Sequence, residues 1–433
     1  MGSAAYELFL DSFILALIIS LLIAWLGRRR QIPLPPSPQS DPFIGHLRRL
    51  PAVDEHLVFA RMGEELNFFG QTTIILNSMK AAHELLDRRS AIYSDRPELP
   101  MLSLPSLVDC SKFTGFARYG ERWRNQRRIT HAVLHKKASE QLWPIILKQS
   151  RLAAQRLLKN PNNFFNEFRR MSGSAVLSAV YGYNVTSADD PLVKLVKTAI
   201  SHIAEAAVPG AFYVNSMPWL RLIPDWFPGT TWKRTVKNWQ AEKTDMIDVP
   251  FHWAKQQIAK GNASDSVIKA LLRELESSKK EADDLEEEMD RIKWAAGTLF
   301  GAGADTSAAT ILVFVLAMTL YPEIQARAQA EIDEVVGTDR LPEMEDRSSL
   351  PYIERVLKEI LRWQPVFPLG LAHACTQDSE YEGYRIPKGA VVIGNTWAIS
   401  RNSLVYPNPE VFDPDRFLDP SVPSAPAFGF GRR

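Results

Sequence analysis

Cysteine is nearly absent from this chain, which has only Cys110 and Cys375 among its 433 residues. Two cysteines offer no disulfide framework, so the sequence is typical of a protein that folds in a reducing compartment. Net charge is also lacking, because 51 lysines and arginines nearly balance 50 aspartates and glutamates and leave a formal charge of +1. This balance argues against a nucleic-acid partner, whose binding depends on neutralising phosphates.

The balance of residue types indicates a large ordered domain. Hydrophobic residues make up 45% of the chain and charged residues 23%, which excludes global disorder and allows a sizeable core. Most of the stretch from 120 to 365 has a helical pattern, whereas 72–77 and 390–393 have the pattern of short strands. We therefore predict a mainly α fold with a minor β-sheet, of the α+β class, without alternating βαβ units.

Residues 8–26 form a nearly uninterrupted apolar run. As a helix these 19 residues would span about 28 Å, close to the thickness of a bilayer core. A cleaved signal peptide is the alternative, but the basic residues 28–30 follow the run instead of preceding it. We predict a single-pass anchor in the endoplasmic reticulum membrane, with residues 1–7 in the lumen and the bulk of the chain in the cytosol by the positive-inside rule.

Five prolines between 33 and 42 follow the anchor. Because proline fixes φ and cannot lie inside a helix, residues 27–42 are predicted to form a basic, proline-rich hinge, with a disordered linker as the alternative. The main folded domain is then expected over residues 43–433.

A second long apolar run, residues 294–321, contains a single charged residue, Asp305. Hydropathy alone would make it a second transmembrane helix, although a carboxylate at its centre costs about 2.5–3.5 kcal/mol on insertion scales. The other interpretation is a long core helix with a functional polar notch at 302–307. In that notch, Ala-Gly-Ala-Asp-Thr-Ser, small residues leave room against the backbone, and an adjacent acid and alcohol suit proton transfer.

Three further patterns follow one another along the chain: Trp-x-x-x-Arg at 123–127, Glu-x-x-Arg at 359–362, and the segments Phe-Asp-Pro-Asp-Arg-Phe at 412–417 and Phe-Gly-Phe-Gly-Arg-Arg at 428–433. The two helical pairs, at 123–127 and 359–362, are weak alone, since such pairs are common on exposed helix surfaces. Taken in this order with the notch, they resemble the motifs of the cytochrome P450 family, and the chain is most similar to fungal microsomal members.

The resemblance implies a haem cofactor and assigns roles to these residues. Asp305 and Thr306 are implied to deliver protons, and Glu359, Arg362 and Arg416 to form a buried structural cluster that braces the haem loop. The residues implied to contact haem are Trp123, Arg127, Ala302, Gly303, His373, Phe428, Gly431 and Arg433. For His373, the alternative is a polar core residue whose ring is satisfied by the protein.

The family's haem loop reads Phe-x-x-Gly-x-Arg-x-Cys, and its cysteine thiolate holds the iron. Phe428, Gly431 and Arg433 fill the first three fixed positions, and the cysteine position lies two residues after Arg433, past the last residue of this sequence. No metal ligand is assigned within the chain, because Cys110 and Cys375 do not lie in a glycine-rich loop. We therefore expect the chain as given to be truncated before the axial cysteine and inactive, with a non-catalytic, membrane-anchored remnant as the alternative function.

The resemblance implies monooxygenation of a hydrophobic small molecule, a secondary metabolite or a xenobiotic. Electrons would come from NADPH through NADPH-cytochrome P450 reductase. Substrate contacts are expected near 102–117, at Ala302 and at 366–369. The aromatic, proline-rich segment 207–232 is either an irregular surface loop with buried aromatics or a lid that dips into the membrane, and the resemblance favours the lid.

One departure from the family's pattern lies at 62–71. The strand expected before the turn at Gly70 is predicted to be shortened or missing, which would leave the strand at 72–77 with an exposed edge.

Overall fold

The computed structural model describes residues 32–41, 44–49, 54–62, 65–68, 70–187, 189–208, 210–277 and 281–432. The predicted lumenal segment 1–7, the anchor 8–26 and Arg433 lie outside these residues and stay predictions. Of the hinge, residues 32–41 are described. The Pro33 carbonyl accepts a hydrogen bond from the Arg385 amide at 2.8 Å, so this part of the proline-rich segment is docked on the folded domain.

Helices dominate the described residues, as predicted. Those of eight residues or more are α1 (Glu55–Met62), α2 (Glu121–Leu134), α3 (Trp143–Lys159), α4 (Phe164–Tyr181), α5 (Pro191–Ala207), α6 (Trp232–Ala259), α7 (Val267–Ser277), α8 (Ala282–Leu320), α9 (Pro322–Val336) and α10 (Pro351–Trp363). Shorter segments are the α-helical turns Met79–Ala82, Ser90–Tyr93, Pro100–Ser103, Lys136–Ser139 and Thr396–Ile399, the π-helix His83–Arg88, and the 3₁₀ turns Leu47–Arg49, Glu140–Leu142, Pro161–Asn163, Tyr213–Asn215, Pro218–Leu222, Met344–Ser349 and Pro414–Leu418.

The strands are β1 (Glu65–Phe68), β2 (Gln71–Leu76), β3 (His373–Ala374), β4 (Ser379–Tyr381), β5 (Tyr384–Ile386) and β6 (Val391–Gly394). One sheet has the order β1-β2-β6-β3, and β4 and β5 form a separate hairpin. Strands β2 and β6 are parallel, with Ile74 opposite Val392, so the sheet joins two distant parts of the chain. The predicted mainly α fold with a minor β-sheet is confirmed.

A strand of four residues is present before Gly70, where the sequence predicts a shortened or missing one. Strand β1 pairs antiparallel with β2, and Phe68 lies opposite Gln71 across a two-residue turn. Gly70 has φ +84°, a conformation that such a tight reversal needs and that glycine adopts without strain. Four residues are therefore enough to cover this part of the β2 edge, and the predicted exposed edge is wrong there.

The sequence predicts a helix that starts at Pro351 and runs to about Trp363, before Pro365, and α10 has these bounds. A proline in the first turn is tolerated because its missing N–H would have no intrahelical partner there. The next proline, Pro365, disfavours helical geometry in the residue before it and so ends the helix. One face of α10 buries Val356 and Ile360 in a core that it shares with α8 and α9.

The apolar run at 294–321 belongs to α8, which continues without a break for 39 residues. Among the described residues, it alone is long and apolar enough to cross a membrane by length and composition. It packs against α2, α4, α5, α6, α7, α9 and α10, and Trp294 and Phe300 lie in the main hydrophobic core. These contacts favour the core-helix interpretation over a second membrane span.

Glycines let neighbouring helices approach α8 closely. A Cβ at Gly301 would lie 2.7 Å from the Ile200 side chain of α5, and a Cβ at Gly303 would lie 2.9 Å from the Val176 side chain of α4. Gly303, implied to contact haem, therefore serves the packing of α8 against α4. The neighbouring Ala302 lies on an exposed face.

The charged stretch 277–284, which the sequence predicts to be a surface linker, is partly helical in the structure. Helix α7 ends at Ser277 and α8 begins at Ala282. Asp283 and Asp284 lie in the first turn of α8, where negative charge is favourable against the helix dipole, so they extend the helix instead of the linker.

The segment between α5 and α6 is largely irregular. Its described aromatic residues are mostly exposed, Trp226 to 81%, and the interpretation with buried aromatics is wrong for four of them: Tyr213, Trp219, Trp226 and Phe227. The segment is nevertheless tied to α6, because Asp225 forms ion pairs with Lys233 at 3.2 Å and with Lys237 at 2.8 Å.

We expect Gly303→Val to lower the free energy of unfolding by about 1–3 kcal/mol, the usual cost of overpacking a filled interface. The reason is the 2.9 Å approach of the added Cβ to Val176. Ala302→Val is the matched control on the exposed neighbouring position, and its effect should stay below about 1 kcal/mol. Urea unfolding followed by circular dichroism measures both. Equal losses in the two variants would contradict the packing role.

Candidate functional site

Three charged residues form a buried cluster between α10 and the segment that follows β6. Glu359 and Arg362 are completely excluded from solvent, and Arg416 is nearly so. Arg362 donates from Nε and Nη2 to the two Glu359 oxygens, each at 2.7 Å. Arg416 Nε donates to Glu359 Oε1 at 3.1 Å, and the Asp413 amide donates to the same oxygen at 2.9 Å. The cluster implied by the sequence motifs therefore forms.

The other N–H groups of the two arginines hold backbone carbonyls. Arg362 Nη1 donates to the Pro409 carbonyl at 2.8 Å, and Arg416 Nη1 donates to the Pro407 carbonyl at 2.8 Å. This part of the chain has no regular ladder of its own, so the guanidinium groups satisfy its backbone instead. The cluster thereby fixes the path that leads to the loop at 428–432.

The two phenylalanines of the loop have different surroundings. Phe428, implied to contact haem, is 89% exposed, whereas Phe430 is buried. The Phe430 ring lies against Gly394 of β6, where a Cβ would come within 2.4 Å of it. Phe430 is therefore the phenylalanine that packs against the sheet, because Gly394 has no side chain in the space that the ring fills.

Gly431 lies against the π-helix His83–Arg88. Its φ is +68°, and a Cβ would lie 2.2 Å from the Leu86 carbonyl oxygen, so only glycine fits here. Its amide donates to the Asp87 carboxylate. The glycine of the sequence motif therefore has a steric role that its position alone did not reveal.

Arg432 connects the loop to the start of α2. Its Nη1 donates to the Tyr119 hydroxyl at 2.7 Å, and the Tyr119 ring is tilted against the Trp123 ring at a centroid distance of 5.2 Å. Trp123 is buried. The structure therefore brings Trp123 and the loop to one place.

Arg127, implied to share a face with Trp123, is exposed. The buried face of α2 contains Trp123, Gln126 and Thr130. Four residues turn an α-helix by about 400°, so Arg127 lies roughly 40° from Trp123, on the side away from the other two. Residues four apart lie near one another on a helix but not on the same line. Here the roughly 40° between them is enough for Trp123 to be buried and Arg127 to be exposed.

His373 is buried in β3, and its Nδ1 lies 2.7 Å from the Tyr93 carbonyl oxygen. This contact is what the polar-core alternative predicts for one ring nitrogen. A role of His373 toward haem stays a prediction.

Arg96 is a buried residue that the sequence analysis missed. Its Nε donates to the Gly115 carbonyl at 2.8 Å, and its Nη1 donates to the Leu371 and Ala372 carbonyls at 2.7 Å each. It thereby joins the segment before α2 to the segment before β3. The only signal in the sequence was a pair of opposite charges, Asp-Arg, inside an otherwise buried stretch.

Asp95 holds the start of α2 beside the loop. Its carboxylate accepts from Arg118 Nε at 2.8 and 3.0 Å and from the Tyr119 amide at 2.8 Å. Burial alone would raise the pKa of Asp95, but the hydrogen bonds from Arg118 and the Tyr119 amide outweigh it and hold this pKa below its ordinary value. The charge of Asp95 is thus coupled to the position of Tyr119.

The notch of α8 places Asp305 and Thr306 side by side. Thr306 Oγ1 donates to the Ala302 carbonyl at 2.7 Å. Asp305 Oδ1 lies 3.4 Å from Nε of Arg169 on α4, and 48% of the Asp305 side chain is exposed. Acid and alcohol therefore remain accessible on one helix.

The residue types fit haem, which presents a flat apolar ring and two carboxylates. Ala302 offers a small side chain on an open face of an apolar helix, and Trp123, His373 and Arg432 are donors near the loop. Among the residues that the structure describes, no group of His, Cys, Asp and Glu side chains could hold a metal ion by itself. Cys110 and Cys375 are both buried, and burial raises the pKa of the Cys110 thiol to about 12.

Comparison with known proteins gives a consistent result. The sequence model of the cytochrome P450 family matches residues 35–433. A cytochrome P450 monooxygenase of Armillaria gallica is 38% identical over 98% of this chain and 86% of its own length. Cytochrome P450 monooxygenase claR of Ampulloclitocybe clavipes is 38% identical over 95% of this chain and 77% of its own length. Cytochrome P450 monooxygenase 208 of Postia placenta is 37% identical, with coverages of 98% and 84%.

Glu359→Gln should lower the free energy of unfolding by roughly 3–5 kcal/mol, because it leaves two buried guanidinium groups without their anion. Glu354→Gln is the matched control on the same helix. Its ion pair with Arg347 is solvent-accessible, so its loss should cost less than about 1 kcal/mol. Denaturant midpoints of the two variants measure the difference, and similar midpoints would show that the cluster does not brace the fold.

Asp95 should make stability depend on pH in the acid range. Its pKa is lower in the folded state than the unfolded value of about 3.9. The stabilisation is therefore fully present above that value and is lost as pH falls through the folded pKa. Melting temperatures of wild type and Asp95→Asn between pH 5 and 2 test this. The variant should lose less stability over that range, and parallel curves would contradict the assignment.

Proposed function

Because the chain belongs to the cytochrome P450 family, and is thus an oxidoreductase of the haem-thiolate monooxygenase type, we propose that it inserts one oxygen atom of O2 into a neutral, hydrophobic small molecule. The observation that carries the proposal is the contact between Arg432 of the loop and Tyr119 beside Trp123, residues 313 positions apart in the sequence. It brings two family motifs together in space.

We assign Trp123, His373, Arg432 and Arg433 to the carboxylates of haem, and Ala302 to its flat face. The support is the donor set near the loop and the open, small-residue face of α8. Haem held by a cysteine thiolate would supply the activation of dioxygen, helped by electron donation from the thiolate. The position of that cysteine is two residues after Arg433.

Asp305 and Thr306 supply protons in this proposal. Asp305 is half-exposed, so its carboxyl group can exchange a proton with water. The Thr306 hydroxyl is held toward the Ala302 carbonyl, which fixes its oxygen on the same face as Ala302. In this proposal the acid takes a proton from water and the neighbouring alcohol passes it on.

We expect an apolar substrate because the segment near 102–117, which would contact it, is largely apolar. Met101, Leu102 and Phe113 lie in the main core with α5, α6 and α8. One buried cation in contact with this segment, Lys243, donates to the Asp109 carbonyl at 2.9 Å. Its charge is used to hold the segment, so a neutral substrate suits the surroundings.

The segment between α5 and α6 is proposed to touch the membrane. Trp219, Trp226 and Phe227 are exposed there, and such side chains settle at the boundary between lipid and water. Together with the predicted anchor at 8–26, this supports a location on the cytosolic face of the endoplasmic reticulum. Apolar substrates dissolved in the bilayer would then reach the domain directly.

NADPH-cytochrome P450 reductase is the proposed electron donor. One side of α2 and the turn after it carry exposed basic residues: Arg124, Arg127, Arg128, His131, Lys136 and Lys137. A cationic surface attracts an acidic partner and speeds their encounter. This surface starts at Arg124, next to Trp123, on the helix whose start contacts the loop, so a partner bound there would lie near the proposed cofactor site.

A carbon monoxide difference spectrum of the reduced protein tests the proposal. We expect a thiolate-type red shift of the Soret band when the protein is expressed through the loop's cysteine, and no such band from residues 1–433 alone. The longer protein with that cysteine changed to serine is the control. A thiolate-type band from residues 1–433 would show that Cys110 or Cys375 can be the ligand, and its absence from the longer protein would refute the proposal.

A further inference from the structure

The loop at 428–432 rests on the π-helix His83–Arg88, and this contact contains a polar tie that the family motifs do not include. A π-helix closes its backbone bonds five residues apart, and the Arg89 amide donates to the Glu84 carbonyl in this way at 3.1 Å. Its buried residues Leu85 and Leu86 share a core with Phe430. The π-helix therefore presents both an apolar floor and a charged edge to the loop.

Asp87 is the residue on that charged edge. Its Oδ1 accepts the hydrogen bond from the Gly431 amide. Its Oδ2 lies 2.7 Å from Nδ1 of His83, one turn earlier. One carboxylate oxygen of Asp87 thus contacts His83 within the π-helix, and the other accepts the hydrogen bond from the loop.

Steric fit makes this tie specific for one position of the loop. At Gly431 the backbone lies so close to Leu86 that no Cβ could be accommodated. The amide can approach Asp87 only because the residue is glycine with φ +68°. A loop displaced along the π-helix would lose the hydrogen bond and bring a side chain against the Leu86 carbonyl.

We propose that Asp87 is a positioning residue: it fixes the Gly431 amide and so sets the path of the loop that carries the axial cysteine. This inference rests on the proposed function, because in the family's loop pattern the cysteine follows the glycine matched by Gly431 by four residues. Phe430 and Arg432 anchor the loop on either side through Gly394 and Tyr119. Asp87 supplies the anchor between them, at the residue where the chain reverses.

Hydrogen exchange of the Gly431 amide tests the tie without any cofactor. In residues 1–433, Asp87→Ala should speed this exchange by about 10- to 100-fold, the usual range for losing a hydrogen bond to a charged acceptor. Asp87→Asn keeps an acceptor and should speed it by less. His83→Ala is the matched control, because it removes the contact between His83 and Asp87 within the π-helix and leaves the Gly431 acceptor in place.

Exchange in α10 serves as the internal reference for global unfolding. Faster exchange at Gly431 with unchanged exchange in α10 supports the tie. Unchanged exchange at Gly431 in Asp87→Ala, or equal acceleration in His83→Ala, overturns it. If Asp87→Ala exposes α10 as well, Asp87→Asn decides the matter by the same criterion.

The effect on the ligand is read from the C–O stretching frequency of the ferrous carbonyl form, in the protein expressed through the cysteine. This frequency reports how strongly the thiolate donates electrons, which an effect on stability alone would not change. We expect Asp87→Ala to shift or broaden it and His83→Ala to leave it as in wild type. An unchanged, equally sharp band in Asp87→Ala overturns the positioning role. A wild type with no thiolate-type band refutes the proposed function instead, while the exchange result stands separately.

Discussion

A single buried carboxylate, that of Glu359, organises the part of the molecule on which the candidate site depends. A lone carboxylate in an apolar interior is costly, and here Arg362, Arg416 and the Asp413 amide supply four hydrogen bonds to it. The arginines spend their other N–H groups on backbone carbonyls after β6. Since a buried ion pair contributes little net stability, what the cluster provides is position: it gives a defined path to chain that forms no helix or sheet ladder.

That path matters because the loop at its end has to meet elements from the first quarter of the chain. Parallel pairing of β2 with β6 brings the two regions together, and Phe430 then fills the gap at Gly394 on β6. The π-helix follows β2 closely in sequence, so the strand that pairs with β6 also delivers the surface on which Gly431 rests. The position of the loop therefore depends on both the sheet, against which Phe430 packs, and the ion cluster, which holds the chain that leads to the loop.

Local signals explain which features the sequence predicted. The prolines at 351 and 365 mark both ends of α10, and a long apolar run marks α8, so these helices could be located from neighbouring residues alone. Strand β1 could not, because four residues and a two-residue turn are too short to show a period. Arg96 and Asp95 escaped notice for another reason: their partners are backbone groups and an arginine brought close by the fold. The four-residue spacing at 123–127 could not indicate that Trp123 is buried in α2 whereas Arg127 is exposed.

Asp305 and Glu359 are both carboxylates, but their surroundings suit them to opposite roles. Its partner Arg169 comes from α4, which no spacing within the 302–307 notch could indicate. The pair is half-exposed and 3.4 Å apart, so its strength is on the order of 0–1 kcal/mol, close to thermal energy. Such a pair orients the acid and still opens readily to water. Glu359 has no contact with water and is held by four donors, so it can only brace the fold. The proposed proton relay requires the first arrangement, and the accessibility of Asp305, more than its place in a motif, supports the role proposed for it.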